Sequence, residues 1–305
     1  MGRIAFVFPG QGAQYVGMGR EFYESSKLAK EVFDLASEVT GLNIPALCFE
    51  ENDKLDVTEY TQAAMLACEA AILKAVQEAG IRSEVNAGLS LGEYGALIAS
   101  GAMTMEEAFR VVRKRGIFMQ EAVPVGGAMA VVIGMDGEKI EKICEETEGI
   151  VTVANYNCPG QIVITGEEKA VLKAAETLRE SGARRVVPLK VSGPFHSPML
   201  RGAGEKLGEV LQDVGIGEIA VPYVANVTAE YVTDKSQVKW LLSNQVAASV
   251  RWQQSVENMR KHGVDTFIEI GPGRTLTGFL KKIDRNAVGL HIDKPEDLEK
   301  VLGEI

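Results

Sequence analysis

Short apolar runs that end in glycine-rich turns are the feature that most restricts the fold of this chain. Residues 4–8 form one such run, followed by Pro9-Gly10, and residues 266–270 form another. An alanine-rich stretch over 61–79 reads as a helix between them. Continuous apolar runs are typical of strands buried on both faces, with helices as the crossovers. The pattern predicts an α/β fold with a parallel sheet.

A different pattern occupies the middle of the chain. Strand-like and helical segments follow one another there in the order β-α-β-β-α-β, over residues 128–134, 137–147, 151–155, 161–165, 167–181 and 185–191. That order is the ferredoxin-like arrangement. We predict a small ferredoxin-like subdomain of residues 126–195, inserted into a large α/β subdomain of residues 1–125 and 196–305.

Composition and charge exclude several classes of function. The 305 residues are 46% hydrophobic and 24% charged, as in globular proteins, and the formal net charge is −10. This charge argues against nucleic acids and anionic membranes as the main partners. The longest mainly apolar run, 128–135, is too short to span a bilayer, and the apolar run near the N-terminus is too short for a signal peptide. We expect a cytoplasmic protein.

The cysteines give no sign of a metal site. Cys48, Cys68, Cys144 and Cys158 are far apart and lack the paired spacing of zinc motifs. Buried, reduced thiols are the expected state in the cytoplasm. We therefore expect neither a bound metal nor a cofactor.

The sequence Gly88-Leu89-Ser90-Leu91-Gly92 lies between a strand-like stretch and a helix. In that context a Gly-x-Ser-x-Gly motif indicates a nucleophile elbow, a sharp turn that projects the serine hydroxyl. Small neighbours keep the strained backbone of the turn free of clashes. The alternative is a glycine-rich turn in which the serine has no chemical role. We predict that Ser90 is a nucleophile.

A catalytic serine also requires donors for the oxyanion. The backbone N–H of Leu91, at the start of the helix after the elbow, is one candidate. Another loop must supply the second, and Gly10-Gln11-Gly12 follows the first strand with little steric bulk. A phosphate-binding loop is the competing interpretation, but Tyr15 fills the last glycine position of that motif.

Three histidines compete for the role of general base. His262 lies at a polar helix end, where an imidazole commonly contacts the last carbonyls. His291 follows a short apolar run near the C-terminus. His196 precedes Ser197-Pro198, which is typical of a helix start, and the positive end of a helix keeps an imidazole neutral. We predict that His196 is the base.

Arg115 lies in an unusual position on a predicted helix. The pair Thr104-x-x-Glu107 predicts the start of that helix by a capping box. Arg115 falls within its apolar stripe, whose other members are Ala108, Val111, Val112, Phe118, Met119 and Ala122. A guanidinium directed inward needs an anion, because an unpaired buried charge is costly. The anion is either an internal carboxylate or a carboxylate of the substrate.

The motifs described above, taken together, resemble those of the malonyl-CoA:acyl carrier protein transacylases of bacterial fatty-acid synthesis. The matching stretches extend over nearly the whole chain: 8–14, 88–93, 115–120, 192–196, 226–228 and 269–273. The resemblance implies an α/β-hydrolase-like large subdomain with a ferredoxin-like insert. It also implies that malonyl-CoA and acyl carrier protein are the partners, and that Ser90 carries the malonyl group as an ester.

The resemblance implies roles for individual residues as well. His196 would activate Ser90, Arg115 would bind the malonyl carboxylate, and the backbone amides of Gln11 and Leu91 would hold the oxyanion. The backbone carbonyl of Arg251 would orient His196, although many members of the family have Gln at that position. Leu89 also departs from the family, which commonly has His before the nucleophile.

Acyl carrier proteins are acidic, as this chain is, so we expect a local basic patch to dock the carrier. Its candidate residues are Lys190, Lys239, Arg274, Lys281 and Lys282. An unperturbed histidine base would make the acylation rate fall as pH drops through about 6 to 7.

Three alternatives stay open at this point. A serine thioesterase or esterase of the α/β-hydrolase type would use the same Ser90 with His291 as its base. An acyltransferase of a polyketide pathway would share the chemistry. The third is a scaffold protein that has lost its activity, an alternative raised by Leu89 in place of the usual His.

Overall fold

The computed structural model describes residues 2–189 and 193–305. Ten strands run over Arg3–Phe8 (β1), Val85–Gly88 (β2), Gly127–Ile133 (β3), Val151–Cys158 (β4), Gln161–Glu167 (β5), Arg185–Pro188 (β6), Tyr223–Val224 (β7), Tyr231–Val232 (β8), Val264–Ile270 (β9) and Val288–Ile292 (β10) within the described residues.

Helices connect and cover these strands. They run over Arg20–Ser25 (α1), Lys27–Thr40 (α2), Ile44–Phe49 (α3), Thr58–Glu78 (α4), Gly92–Ala99 (α5), Met105–Ala122 (α6), Gly137–Glu146 (α7), Glu168–Glu180 (α8), Arg201–Gln212 (α9), Val238–Gln245 (α10), Trp252–Lys261 (α11), Thr275–Ile283 (α12) and Pro295–Glu304 (α13). Short 3₁₀ turns cover Pro198–Leu200 and Lys235–Gln237. None of the helices in the described ranges is long and apolar enough to span a bilayer.

The larger sheet has the strand order β10-β9-β1-β2-β7-β8. Its strands are parallel except for β8, which pairs antiparallel with β7. The strands β1, β2 and β9 are buried along most of their length because helices cover both faces, which explains their continuous apolar runs. The predicted parallel α/β fold is confirmed.

The smaller sheet is antiparallel, in the order β4-β5-β3-β6. Helices α7 and α8 cover one face and enclose a separate apolar core with it. Their order along the chain is the predicted β-α-β-β-α-β pattern, and these elements lie within residues 127–188. The last strand was predicted to reach residue 191, but residues 190 and 191 lie outside the described residues.

A bulge in β4 changes which side chains face the small core. Val153 pairs with Ile164, but the next pair joins Asn155 to Val163 and leaves Ala154 as an extra residue. Without the bulge, the alternation of side chains along β4 would point Asn155, like Val153, into the apolar core of the small subdomain. The bulge therefore turns Asn155 to the same side of the sheet as Val163, which is the side of the large subdomain.

The two subdomains are joined by main-chain hydrogen bonds at this bulge. The N–H of Val250 donates to the carbonyl of Ala154 at 2.8 Å, and the N–H of Tyr156 donates to the carbonyl of Val250 at 2.9 Å. The hydroxyl of Ser249 donates to the carbonyl of Val153 at 2.6 Å. The edge of β4 is thus paired with the segment that follows α10, so the position of the small sheet is fixed relative to α10.

Candidate active site

Ser90 occupies the turn between β2 and α5, with a positive φ of 54°. This conformation is uncommon for a residue with a side chain and stores strain. The flanking glycines explain how the turn is possible. A Cβ at Gly88 would lie 1.9 Å from the carbonyl carbon of Gly92, and a Cβ at Gly92 would lie 2.2 Å from the carbonyl oxygen of Phe8. The structure therefore has the geometry of a nucleophile elbow, in which both glycines are sterically required.

The side chain of Asn226 secures the elbow. Its Oδ1 accepts a hydrogen bond from the N–H of Ser90, and its Nδ2 donates to the carbonyl of Gly88, both at 2.6 Å. Asn226 is fully buried just beyond the end of β7. Sequence reasoning gave it no role beyond its place in a matching stretch. The strand before it has only two residues, which is too short to be recognised in the sequence as a strand that ends near the site.

His196 lies beside the serine, although the two residues are far apart in the chain. Its Nε2 is 2.7 Å from the Oγ of Ser90. Its own backbone is also left-handed, with φ of 59°. The Oγ of Ser197 accepts from the N–H of Met199 and caps the short 3₁₀ helix that leads into α9, as the sequence predicted for a helix start. The structure thus brings the proposed base and nucleophile into contact.

The prediction that the backbone carbonyl of Arg251 orients His196 is wrong. The Nδ1 of His196 lies 2.9 Å from the carbonyl oxygen of Gln245, at the last residue of α10. The final carbonyls of a helix have no partner within the helix and are available to other donors. The carbonyl of Arg251 instead accepts from the N–H and the hydroxyl of Ser255 in the first turn of α11. The Arg251 guanidinium stacks over the ring of Tyr156, 5.7 Å from its centre.

Gln245 also connects the site through its side chain. Its Oε1 accepts from the Nη2 of Arg115 at 2.8 Å. Its Nε2 donates to the carbonyl of Ser90 at 2.9 Å and to the Oε2 of Glu93 at 2.7 Å. One buried residue therefore contacts the serine, the histidine and the arginine. Sequence reasoning missed it, because a glutamine in a short helix carries no pattern that marks it as buried.

Arg115 points inward, as the apolar stripe predicted, and only 1% of it is exposed. Its Nη1 donates to the Oε1 of Gln62 at 2.7 Å, and its Nη2 donates to the Oγ of Ser90 at 3.1 Å. The ring of Tyr94 lies 5.7 Å from the guanidinium carbon. Among the described residues, none of the ion pairs within 4.0 Å involves Arg115. The alternative of a structural ion pair is therefore not what holds this cation in place.

The start of α6, which carries Arg115, is capped as predicted. The Oγ1 of Thr104 accepts from the N–H of Glu107 at 3.2 Å. The carboxylate of Glu107 binds the guanidinium of Arg110 instead of completing a reciprocal box. The helix register is the same in either case, so Arg115 keeps its place on the buried face.

A cavity of about 780 Å³ opens over these residues, between the two subdomains. The large subdomain contributes Gln11, Gln62, Ser90, Leu91 and His196 to its lining. The small subdomain contributes the β4 side chains Asn155 and Asn157, together with Met129, Val131, Gln161 and Val163. Gln11 and Leu91 thus line the cavity to which Ser90 is exposed, and their roles as oxyanion donors stay a prediction.

The imidazole of His196 is kept neutral by its surroundings. Burial first, and the positive charge of Arg115 second, lower the pKa of His196 from 6.5 to about 4, against the opposing effect of its backbone hydrogen bonds. The main cause is therefore burial, whereas the sequence suggested the helix end. The acid limb expected at pH 6 to 7 is accordingly too high for this environment.

The other two histidines do not contact Ser90. His262 caps α11, where its Nδ1 is 2.9 Å from the carbonyl of Asn258, as predicted for a helix end. His291 lies on β10 with its Nε2 4.0 Å from the Oδ1 of Asp297. Within the described residues there is no cluster of three or more side chains that could hold a metal ion, and the four cysteines are buried and unpaired.

A serine on an elbow with a histidine in hydrogen-bond distance is the arrangement typical of enzymes that transfer acyl groups. Residues 5–291 match the family model described as the acyl transferase domain. The chain therefore belongs to the acyl transferase family.

Relatives with known names match nearly the whole length of the chain. The chain is 45% identical to a malonyl CoA-acyl carrier protein transacylase of Bacillus subtilis, over 98% of this chain and 96% of that protein. It matches the crystal structure of MCAT from Streptococcus pneumoniae with a TM-score of 0.96 and 46% identity, over 99% and 100% of the two chains. A solved complex of a type II PKS acyl-carrier protein with its malonyl-transacylase matches with a TM-score of 0.96 and 38% identity, over 99% and 100%.

The steric need for glycine at the elbow gives a test on stability. We expect Gly92→Ala to lower the free energy of unfolding by about 3 kcal/mol or more, because its Cβ would overlap the β1 backbone. Gly202→Ala in α9 is the matched control, because a Cβ there meets nothing within 4 Å. Urea denaturation should show it unchanged, or more stable by up to about 1 kcal/mol. Equal effects of the two substitutions would contradict this account of the elbow.

Proposed function

We propose that the protein transfers a malonyl group from malonyl-CoA to the phosphopantetheine thiol of acyl carrier protein, and so supplies extender units for fatty-acid synthesis. One observation carries the proposal. The Oγ of Ser90 lies within hydrogen-bond distance of both the His196 imidazole, at 2.7 Å, and the Arg115 guanidinium, at 3.1 Å. A nucleophile that contacts both a base and a buried cation fits the transfer of an anionic acyl group.

The contacts support a two-step mechanism. His196 Nε2 takes the proton of the Ser90 hydroxyl as Oγ attacks the thioester carbonyl of malonyl-CoA. The backbone amides of Gln11 and Leu91 stabilise the oxyanion. The intermediate then collapses to the malonyl ester, and the departing thiolate of coenzyme A takes the proton from His196. The carrier's thiol repeats these steps in reverse and restores free Ser90.

Arg115 gives the reaction its selectivity for a carboxylate. Its two terminal nitrogens donate to neutral oxygens of Gln62, Gln245 and Ser90. A malonyl carboxylate can replace the serine contact with a charge-assisted bidentate pair, which is stronger than a hydrogen bond to a hydroxyl. An acetyl group would leave the buried cation without a partner, so it binds less well in the transition state.

The part of the cavity formed by the small subdomain suits the phosphopantetheine arm that coenzyme A and the carrier share. The bulge in β4 brings Asn155 and Asn157 to the cavity, and each side chain is more than nine-tenths buried. A carboxamide can both donate to and accept from the amides of the arm. Gln161 accepts from the ammonium of Lys282 at 3.2 Å, which brings a cation to the same wall.

We place the docking surface for the acidic carrier around α12. Thr275 and Phe279 of this helix line the cavity, and Arg274, Lys281 and Lys282 lie next to them in the chain. Lys239 was predicted to belong to the same patch, but its ammonium donates to the carbonyl of Gln212 at 2.9 Å, between α9 and α10. Lys190 lies outside the described residues.

The geometry disfavours the esterase alternative. That reading requires His291 as the base, whereas His196 is the histidine in contact with Ser90. The ring of His196 is oriented by a backbone carbonyl and not by the acidic residue usual in α/β-hydrolases. Polyketide synthesis uses the same chemistry and is the second candidate pathway, favoured only by the structural match to a type II PKS pair. The cytoplasmic location stays a prediction.

The proposal is tested by trapping the acyl-enzyme. Incubation with malonyl-CoA should add one malonyl group to the intact mass, and peptide mapping should locate it on Ser90. Ser90→Ala should not be labelled, and His196→Ala should acylate about 10²- to 10⁴-fold more slowly because the general base is absent. His262→Ala is the matched control and should keep the normal rate, since His262 caps α11 and packs against Tyr231 without contacting Ser90. A malonyl group on another residue, or normal labelling of Ser90→Ala, would refute the proposal.

The role of Arg115 is tested by comparing two acyl groups. For Arg115→Ala, kcat/KM for malonyl-CoA should fall roughly 10²- to 10³-fold, because the lost charge pair is buried. Transfer of acetyl from acetyl-CoA should be unchanged or faster. Arg110→Ala, which removes an exposed guanidinium from the same helix, is the control and should alter neither rate. Equal losses for both substrates would contradict the carboxylate assignment.

The pH dependence of acylation is tested best with acetyl-CoA, whose acyl group has no carboxylate to titrate. The pKa of about 4 for His196 places the acid limb of kcat/KM near pH 4, since only the neutral imidazole accepts the proton. Arg115→Ala should move this limb to higher pH, because the cation that opposes protonation is gone. An acid limb at pH 6 to 7 in the unmodified protein would show that His196 is not shielded as described.

A further inference from the structure

A second charged side chain is buried beneath the nucleophile and takes no part in the mechanism above. Glu93, in the first turn of α5, is fully buried. Its Oε2 accepts from the Nε2 of Gln245 at 2.7 Å and from the N–H of Asn226 at 3.2 Å. Its Oε1 has no hydrogen-bond partner in the described part of the chain. A carboxylate in this position is costly unless a positive charge is close.

The positive charge close to Glu93 is that of Arg115. The two side chains do not touch, but the carboxamide of Gln245 bonds to both, with its Oε1 on the guanidinium and its Nε2 on the carboxylate. The other titratable groups that face Glu93 are Tyr94, next to it on α5, and Tyr223 on β7. Burial raises the pKa of both tyrosines, so they are neutral near pH 7. His196, which faces Arg115, is also neutral at this pH, so among the described residues the local charge is that of Arg115 and Glu93.

We infer that Glu93 is a charge-compensating residue: it balances Arg115 in the free enzyme and takes up a proton from solvent when the malonyl carboxylate binds the guanidinium. The inference rests on the proposed function. In the free enzyme, one cation and one carboxylate give a neutral cluster. A bound malonyl group adds a second negative charge, and protonation of Glu93 restores neutrality. Glu93 acts through Gln245 and Arg115, so it positions charge and does not touch the substrate.

The electrostatic setting of Glu93 allows this change near neutral pH. Burial raises the pKa of Glu93 to about 7, against the opposing effects of the Gln245 and Asn226 hydrogen bonds and of Arg115. A malonyl carboxylate on Arg115 cancels much of the last effect, so the pKa of Glu93 rises further. By linkage, an ionised Glu93 must weaken malonyl binding to the same extent. The kcat/KM for malonyl-CoA should therefore fall as pH rises past about 7, whereas that for acetyl-CoA should not.

Proton uptake during a single acylation is the direct test. Excess enzyme is mixed with malonyl-CoA at pH 7.5 in weak buffer with a pH indicator, and malonyl-enzyme is counted by intact mass in the same samples. If malonylation raises the pKa from about 7 by about one unit, uptake is about half a proton for each malonyl-Ser90 formed. Glu93→Gln keeps the acceptor oxygen for Gln245 and should abolish the uptake. Glu69→Gln is the matched control, since Glu69 is another fully buried carboxyl without a hydrogen-bond partner among the described residues.

The outcomes separate the inference from the proposed function. If malonyl-enzyme does not form on Ser90, the proposed function fails. If it forms and Glu93→Gln takes up as much proton as the unmodified protein, the inference is overturned. A measurement on the unmodified protein also tests the inference if the variant does not fold. The inference is overturned if the unmodified protein takes up no proton and if the pH profiles of kcat/KM for malonyl-CoA and acetyl-CoA are parallel. Loss of uptake in Glu93→Gln but not in Glu69→Gln supports it.

Discussion

A guanidinium buried without a carboxylate in direct contact is the constraint on which the rest of this site depends. The guanidinium is shielded from water, and the carboxylate of Glu93 reaches it only through the carboxamide of Gln245. The guanidinium is held by three neutral oxygens, from Gln62, Gln245 and Ser90. Such an arrangement is stable only if the surrounding dipoles are fixed, and it leaves the cation ready for an incoming anion. Selectivity for an acidic acyl group then follows from the cost of leaving the cation unpaired.

The backbone around the nucleophile is arranged to keep these dipoles fixed. Ser90 and His196 both have left-handed backbones, which cost free energy that neighbouring contacts must offset. Asn226 bonds to the N–H of Ser90 and to the carbonyl of Gly88, and the last carbonyl of α10 orients His196. The segment after α10 then pairs with the bulge in β4. The wall that faces the substrate and the base that acts on it are therefore parts of one hydrogen-bonded unit.

Much of the fold and part of the site could be predicted from sequence. Alternating apolar runs and helices gave the parallel sheet, and the β-α-β-β-α-β order gave the inserted sheet. Arg115 could be found because α6 is long enough for its apolar stripe to be unambiguous. Gln245 and Glu93 could not be found in this way. Both are polar residues buried by contacts with parts of the chain more than a hundred residues away, and the short helices that carry them show no clear periodicity.

The prediction for Arg251 failed for a related reason. A backbone carbonyl can come from any residue type, so the residue that supplies it can be located only by matching the chain to the family. The resemblance placed the orienting carbonyl six residues after Gln245, which is the residue that supplies it. The shift in the pKa of His196 was also out of reach, because burial depends on how the two subdomains meet.

A crystal structure of the malonylated protein would test the central claim most directly. The account predicts that the ester on Ser90 turns its free carboxylate to Arg115, with both terminal nitrogens of the guanidinium in hydrogen-bond distance and with the Gln245 contact retained. A carboxylate that points to solvent or binds another cation, with Arg115 still bonded only to neutral oxygens, would contradict it.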